Sequence, residues 1–85
     1  MRRGILVFDH HLQEWRVWLG HQPHWIDQGY AFEIRVQNRY LHAYLEKDFD
    51  WFVTLEHEVR FVLHTYEVYK IRIKKQDYMP VDAPF

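Results

Sequence analysis

Apolar and polar residues alternate along much of this chain with a period of two, the pattern of strands that bury one face. In the clearest run, Ala31 to Gln37, Phe32, Ile34 and Val36 point one way and Glu33, Arg35 and Gln37 the other. Glu14 to Leu19 repeats the pattern, setting Trp15, Val17 and Leu19 against Arg16 and Trp18. Upstream, Gly4 to Phe8 is continuously apolar and stops at Asp9-His10-His11, and the short connection to Glu14 predicts an antiparallel hairpin. Gly20, Pro23 and Gly29 punctuate the next stretch, which reads as a loop, with or without a very short strand, anchored by Trp25-Ile26.

After the strand at 30–37, a tight turn at Asn38-Arg39 leads into a strand from Tyr40 to Glu46. That strand offers either Leu41, Ala43 and Leu45 or Tyr40, His42 and Tyr44 to the core, and the pattern does not choose between them. Lys47 to Asp50 reads as a turn, and Trp51 to Leu55 as a strand apolar on both faces. Two readings stay open for Glu56 to Tyr66. Val59, Val62, Leu63 and Tyr66 share one helical face, which suggests a short helix near 56–65, whereas the Val, Phe and Thr content favours a strand. Glu67 to Lys74 is the last strand, with Tyr69, Ile71 and Ile73 inward and Lys70, Arg72 and Lys74 outward. The expected fold is mainly β, a small antiparallel barrel or roll of five or six strands, SH3-like or OB-like in size. It occupies residues 1–75 as one domain, followed by an extended tail at 76–85 that contains Pro80 and Pro84.

Composition sharpens this picture. Aromatic residues make up 19% of the 85 positions, and each one buried removes about 150–250 Å² from water, which a small domain needs. Phe8, Trp15, Phe32, Trp51 and Tyr69 are assigned to the core, leaving Trp18, Trp25, Tyr30 and Tyr44 without a structural role. The absence of cysteine removes disulfides and thiolate metal sites, and the absence of serine as well removes acyl transfer of the Ser or Cys type. With no glycine-rich phosphate loop and a thin core, the chain is expected to be non-catalytic and to need no cofactor. No stretch reaches the ~18 apolar residues of a membrane helix. The apolar run at the start ends at Phe8, which argues against a secretory signal, so a soluble cytoplasmic protein is expected.

Four clusters are candidates for chemistry. The histidines His10, His11, His21, His24, His42, His57 and His64 include one His-x-x-His pair, His21 and His24, but no recognised metal spacing, and they read as surface and half-buried side chains. Glu46, Asp48, Asp50, Glu56 and Glu58 form an acidic rim that binds a cation, mimics nucleic-acid phosphates for a basic partner, or is simply solvated, and it has no EF-hand spacing. Lys70, Arg72, Lys74 and Lys75, with Arg16 and Arg35 on the same exposed face, form a basic patch. Beside a stacking aromatic, Trp18 or Tyr40, it would suit single-stranded nucleic acid; otherwise its lysines guard an edge strand from aggregation. Trp25, with Tyr30 nearby, either anchors a partner or lids one end of the fold. The net charge of −1, without a basic arm, speaks against broad polyanion binding and leaves room only for a local patch.

The ordered set Gly4-x-Leu6-Val7, Trp15-Arg16-Val17, Gly29-x-x-Phe32-Glu33-Ile34 and Trp51-Phe52-Val53 resembles a group of short uncharacterised Gram-positive bacterial proteins, often carried on mobile elements and grouped as a domain of unknown function. The resemblance implies a small barrel-like β domain in a mobile-element setting and supplies no catalytic residues. The first functional expectation is therefore a non-catalytic accessory module of a mobile element or phage. It would bind a host or phage protein, as a defence-system inhibitor for example, through Trp25, Tyr30, Glu46, Asp48, Asp50, Glu56 and Glu58. The alternative is a small nucleic-acid-binding regulator that uses Arg16, Trp18, Arg35, Lys70, Arg72, Lys74 and Lys75.

Overall fold

The computed structural model describes residues 1–74 and the backbone of 79–80. Eight strands run through the first of these segments: β1 (Arg2–Asp9), β2 (Glu14–Leu19), β3 (Gln22–Trp25), β4 (Ala31–Val36), β5 (Arg39–Lys47), β6 (Trp51–Leu55), β7 (Val59–Val62) and β8 (Tyr69–Ile73). A two-residue strand, β9 (Met79–Pro80), pairs with β3. They form one antiparallel sheet in the order β7-β6-β5-β4-β8-β1-β2-β3-β9. No helix occurs among the described residues.

Two hairpin-connected meanders, β1–β2–β3 and β4–β5–β6–β7, are joined by β8, which enters between β1 and β4 and pairs antiparallel with both. The expected barrel is corrected by this order: β7 and β9 are edges and do not pair with each other, so the sheet stays open. More strands form than the alternation predicts because the 20–29 segment supplies β3 and the ambiguous 56–66 segment supplies β7, each lengthening the sheet at one side. The expected tail at 76–85 lies outside the described residues apart from Met79–Pro80.

The open sheet nevertheless curls around its own buried face. Phe61 on β7 meets Tyr69 on β8 with ring centroids 6.2 Å apart, although four strand spacings of about 4.8 Å would separate their strands on a flat sheet. Tyr69 also reaches Trp15, at 6.0 Å, and its hydroxyl accepts the His64 N–H. Burial pushes this phenol above its ordinary pKa. The core is built from the inward sets of successive strands: Leu6 and Phe8, Trp15, Val17 and Leu19, Phe32 and Ile34, Ala43 and Leu45, Trp51, Val53 and Leu55, then Ile71 and Ile73. On β5 this settles the open choice, with Ala43 and Leu45 buried and Leu41 packed against them. Tyr40, His42 and Tyr44 face out.

Turn chemistry explains why 56–65 does not become a helix. Glu56 and His57 both adopt positive φ, 51° and 63°, the geometry of a tight hairpin reversal. The Glu58 N–H donates to Leu55 O and closes the turn, which feeds the chain straight back along β6. The helical spacing was a coincidence of side chains: of Val59, Val62, Leu63 and Tyr66, only Leu63 is buried, and Tyr66 is 90% exposed. Gln37 likewise takes a positive φ of 57° in the β4–β5 turn, where no glycine is present.

Gly4 is required by a close approach. A Cβ there would stand 2.5 Å from Trp18 O and 2.6 Å from Leu19 Cδ2, so the missing side chain lets Leu19 fill the core beside β1. Gly20 has open space around it but a φ of +65°. Gly4→Ala therefore loses about 1–3 kcal/mol by overpacking, and Gly20→Ala about 1 kcal/mol by backbone strain. Thermal unfolding checks the order: Gly4→Ala melts lower than Gly20→Ala, and the reverse order contradicts the close contact.

Candidate functional site

Inward burial of one alternate set forces the other set outward, and strand register then decides which outward residues become neighbours. Ile5 on β1 lies opposite both Trp18 on β2 and Lys70 on β8. Arg35 on β4 lies opposite Tyr40 on β5. The β4–β8 register, Glu33 with Arg72 and Ile34 with Ile71, places Arg35 next to Lys70 when continued by one residue. A single row therefore crosses the outer face: Trp18, Ile5, Lys70, Arg35, Tyr40. Arg3, one step along β1 from this row and opposite Arg72, flanks it.

This row lines an open groove of about 400 Å³, which Arg3, Trp18, Arg35, Tyr40 and Lys70 surround and Gly4 and Ile5 help to floor. Among the described residues, no acidic side chain contributes to its walls. Nearby cations are neutralised. Arg16 pairs with Asp9 at 2.9 Å and lies over the Trp25 ring at 4.4 Å. Arg72 holds Glu33 through Nε and Nη2 and lies over Tyr40 at 4.1 Å. Among the described residues Arg3, Arg35 and Lys70 form no ion pair, and no cation covers the Trp18 ring. Arg35 uses its Nε to bind Gln37 O, which fixes its stem over the sheet.

The structure thus brings together Trp18, Arg35 and Lys70 from the expected basic set. It places Arg16 and Arg72 beside them but ties both to carboxylates. Lys74 is exposed beyond the end of β8, in a separate hollow with Glu33 and His42. Lys75 lies outside the described residues. The idea that these lysines guard an edge is corrected, because β8 is an interior strand. Arg3 escaped the sequence reading because β1 begins at Arg2 rather than Gly4, and Ile5 because it lies in a continuously apolar run that shows no outward face. Continuing the alternation back from Leu6 and Phe8 would have found them.

The acidic rim does not assemble into one surface. Asp48 and Asp50 sit in the turn before β6, and Glu56 and Glu58 in the turn after it, about 17 Å apart along a five-residue strand. Glu46 accepts the Thr54 hydroxyl, Glu56 accepts the His42 N–H, and Asp48 lies 3.9 Å from Arg60. Trp25 is on β3, with five strands between it and β6 in the sheet order, and is half-buried under Arg16. Tyr30 packs against the core. The histidines scatter as well: His10 stacks on Tyr66 at 4.7 Å and His42 on His57 at 4.9 Å. Among the described residues no three His, Asp or Glu side chains gather to hold a metal ion. No described helix is long and apolar enough to cross a membrane.

Asp9 organises the end of the β1–β2 hairpin. Its Oδ1 accepts the Leu12 and His11 N–H groups and its Oδ2 meets Arg16. The Leu12 hydrogen bond, with help from Arg16 and His11, holds its carboxyl below the ordinary aspartate pKa. A lowered folded value means that the unfolded chain takes up the proton first as pH falls. The stabilisation is therefore complete above the unfolded aspartate pKa of about 3.9 and disappears as pH drops through it towards the lower folded value. Asp9→Asn melts below the parent protein at pH 7, with the gap narrowing as pH falls below the unfolded aspartate pKa of about 3.9; a gap that does not narrow there contradicts the assignment.

No curated protein and no solved structure matches the chain. The family model described as "Domain of unknown function (DUF5348)" matches residues 4–73, from the glycine under the groove to the last core residue of β8, and the protein belongs to that family.

Proposed function

We propose that the protein is a non-catalytic binding module that engages nucleic acid through the outer face of its sheet. One observation carries this reading: among the described residues, Arg3, Lys70 and Arg35 have no ion-pair partner and line one groove between Trp18 and Tyr40 to which no carboxylate contributes. Lysine and arginine beside half-exposed rings match a ligand that offers both phosphates and flat bases. The overall charge of −1 is no obstacle, because three cations gather on a groove to which none of the described acids contributes.

The companion expectation, a protein partner met by the acidic rim and Trp25, has less geometric support. Its residues fall at both ends of β6 and on the far strand β3, and several are engaged with their own neighbours. The mobile-element setting implied by the resemblance and the cytoplasmic location expected from the sequence belong to the same proposal as its biological context. Non-catalytic action is supported by the lack of serine and cysteine, which removes the commonest nucleophiles.

Fluorescence anisotropy with short single-stranded and duplex oligonucleotides tests the reading. Contacts from three cations give an affinity that falls with salt at a log–log slope of about −2 to −3. Lys70→Glu and Arg35→Glu, both exposed positions, each weaken binding and reduce that slope by about 1. An affinity indifferent to salt, or untouched by both charge reversals, contradicts the proposal.

A further inference from the structure

The groove is one part of a longer track. Trp18 also walls a second hollow of about 200 Å³, formed with Val7, Asp9 and Arg16. Arg35 and Lys70 also wall a third, of about 340 Å³, formed with Gln37 and Val68. Shared residues set the three hollows side by side on the outer face, an arrangement that suits an extended ligand. Four strand spacings from Trp18 to Tyr40 amount to about 19 Å along the row, the length of a short polymer segment rather than of one small molecule.

We propose that the occupant of this track is a single strand, with a base stacked on Trp18 and the sugar–phosphate backbone running over Lys70 and Arg35 towards Tyr40. This rests on the nucleic-acid reading above and deepens it. Trp18 is the stacking platform because the rings of Trp25 and Tyr40 each carry a guanidinium over one face, whereas none of the described cations covers Trp18. The charge distribution orients the strand. On one side of Trp18 stands the neutralised Asp9–Arg16 pair, and on the other stand Arg3, Lys70 and Arg35, which form no ion pair among the described residues. Phosphates therefore keep to the Lys70 side. A duplex fits this face poorly. Its bases are stacked on one another and unavailable to an indole, and its two phosphate rows meet a single line of unpaired cations. Base stacking on a ring tolerates any base, so little sequence preference follows.

The test compares a fluorescein-labelled 12-nucleotide oligothymidine with a 12-base-pair duplex at low salt. The proteins are the parent, Trp18→Ala, Trp18→Phe and Lys70→Glu, each checked for folding by its near-ultraviolet spectrum and melting curve. The inference expects the single strand to bind at least tenfold tighter than the duplex. Trp18→Ala weakens it roughly 5- to 150-fold, the range for loss of one stacked base, and Trp18→Phe restores most of that loss. Should Trp18→Ala fail to fold, Trp18→Phe and Lys70→Glu carry the comparison: the first keeps the preference for the single strand and the second reduces affinity for it. Duplex binding as tight as single-strand binding overturns the inference and leaves the nucleic-acid reading standing. Unchanged affinity in a folded Trp18→Ala overturns the stacking platform. Binding of neither oligonucleotide overturns the nucleic-acid reading itself, and the inference with it.

Discussion

The rest of the structure depends on where β8 is inserted. The last long strand pairs with β1 on one side and β4 on the other, so it joins two meanders that would each otherwise end in an open edge. Its inward residues, Ile71 and Ile73, are fully buried, and Tyr69 ties both meanders together through Trp15 and Phe61. The partners of β8 come from early and middle parts of the chain, so the core closes only when distant segments meet, an arrangement that slows folding.

That insertion also creates the outer surface. A single sheet has no second layer, so it buries one face by curling and leaves the other in water. With β8 in the middle, Lys70 stands between Ile5 and Arg35, and Arg72 between Arg3 and Glu33. The two positions then diverge for a local reason. Glu33 lies opposite Arg72 and captures it, while no carboxylate of the described residues pairs with Lys70. One pair of neighbours strengthens the seam between β8 and β4; the other leaves charge available to a ligand.

Much of this is legible in the sequence, because period-two alternation fixes which residues of each strand are inward. Trp15, Phe32 and Ile71 follow from it directly, as does the outward direction of Trp18, Arg35 and Lys70. What alternation does not contain is strand order. Nothing local at 67–74 indicates an interior strand rather than an edge, and the same lysines have opposite meanings in the two cases. Turns are the second gap. Glu56, His57 and Gln37 adopt positive φ without being glycine, so the β6–β7 reversal carries no composition signal, and Val59 to Tyr66 imitate a helical face. The acidic rim shows the same limit from the other side: residues close in sequence part company when a five-residue strand runs between them.

The central claim is that the ligand surface is the outer row from Trp18 to Tyr40. Nuclear magnetic resonance mapping during titration with an oligothymidine addresses it most directly. The account predicts that the largest shifts fall on the Trp18 indole and on Ile5, Lys70, Arg35 and Tyr40, with the turns at 48–50 and 56–58 unmoved. Shifts centred on those two turns, or on Trp25 alone, would contradict it.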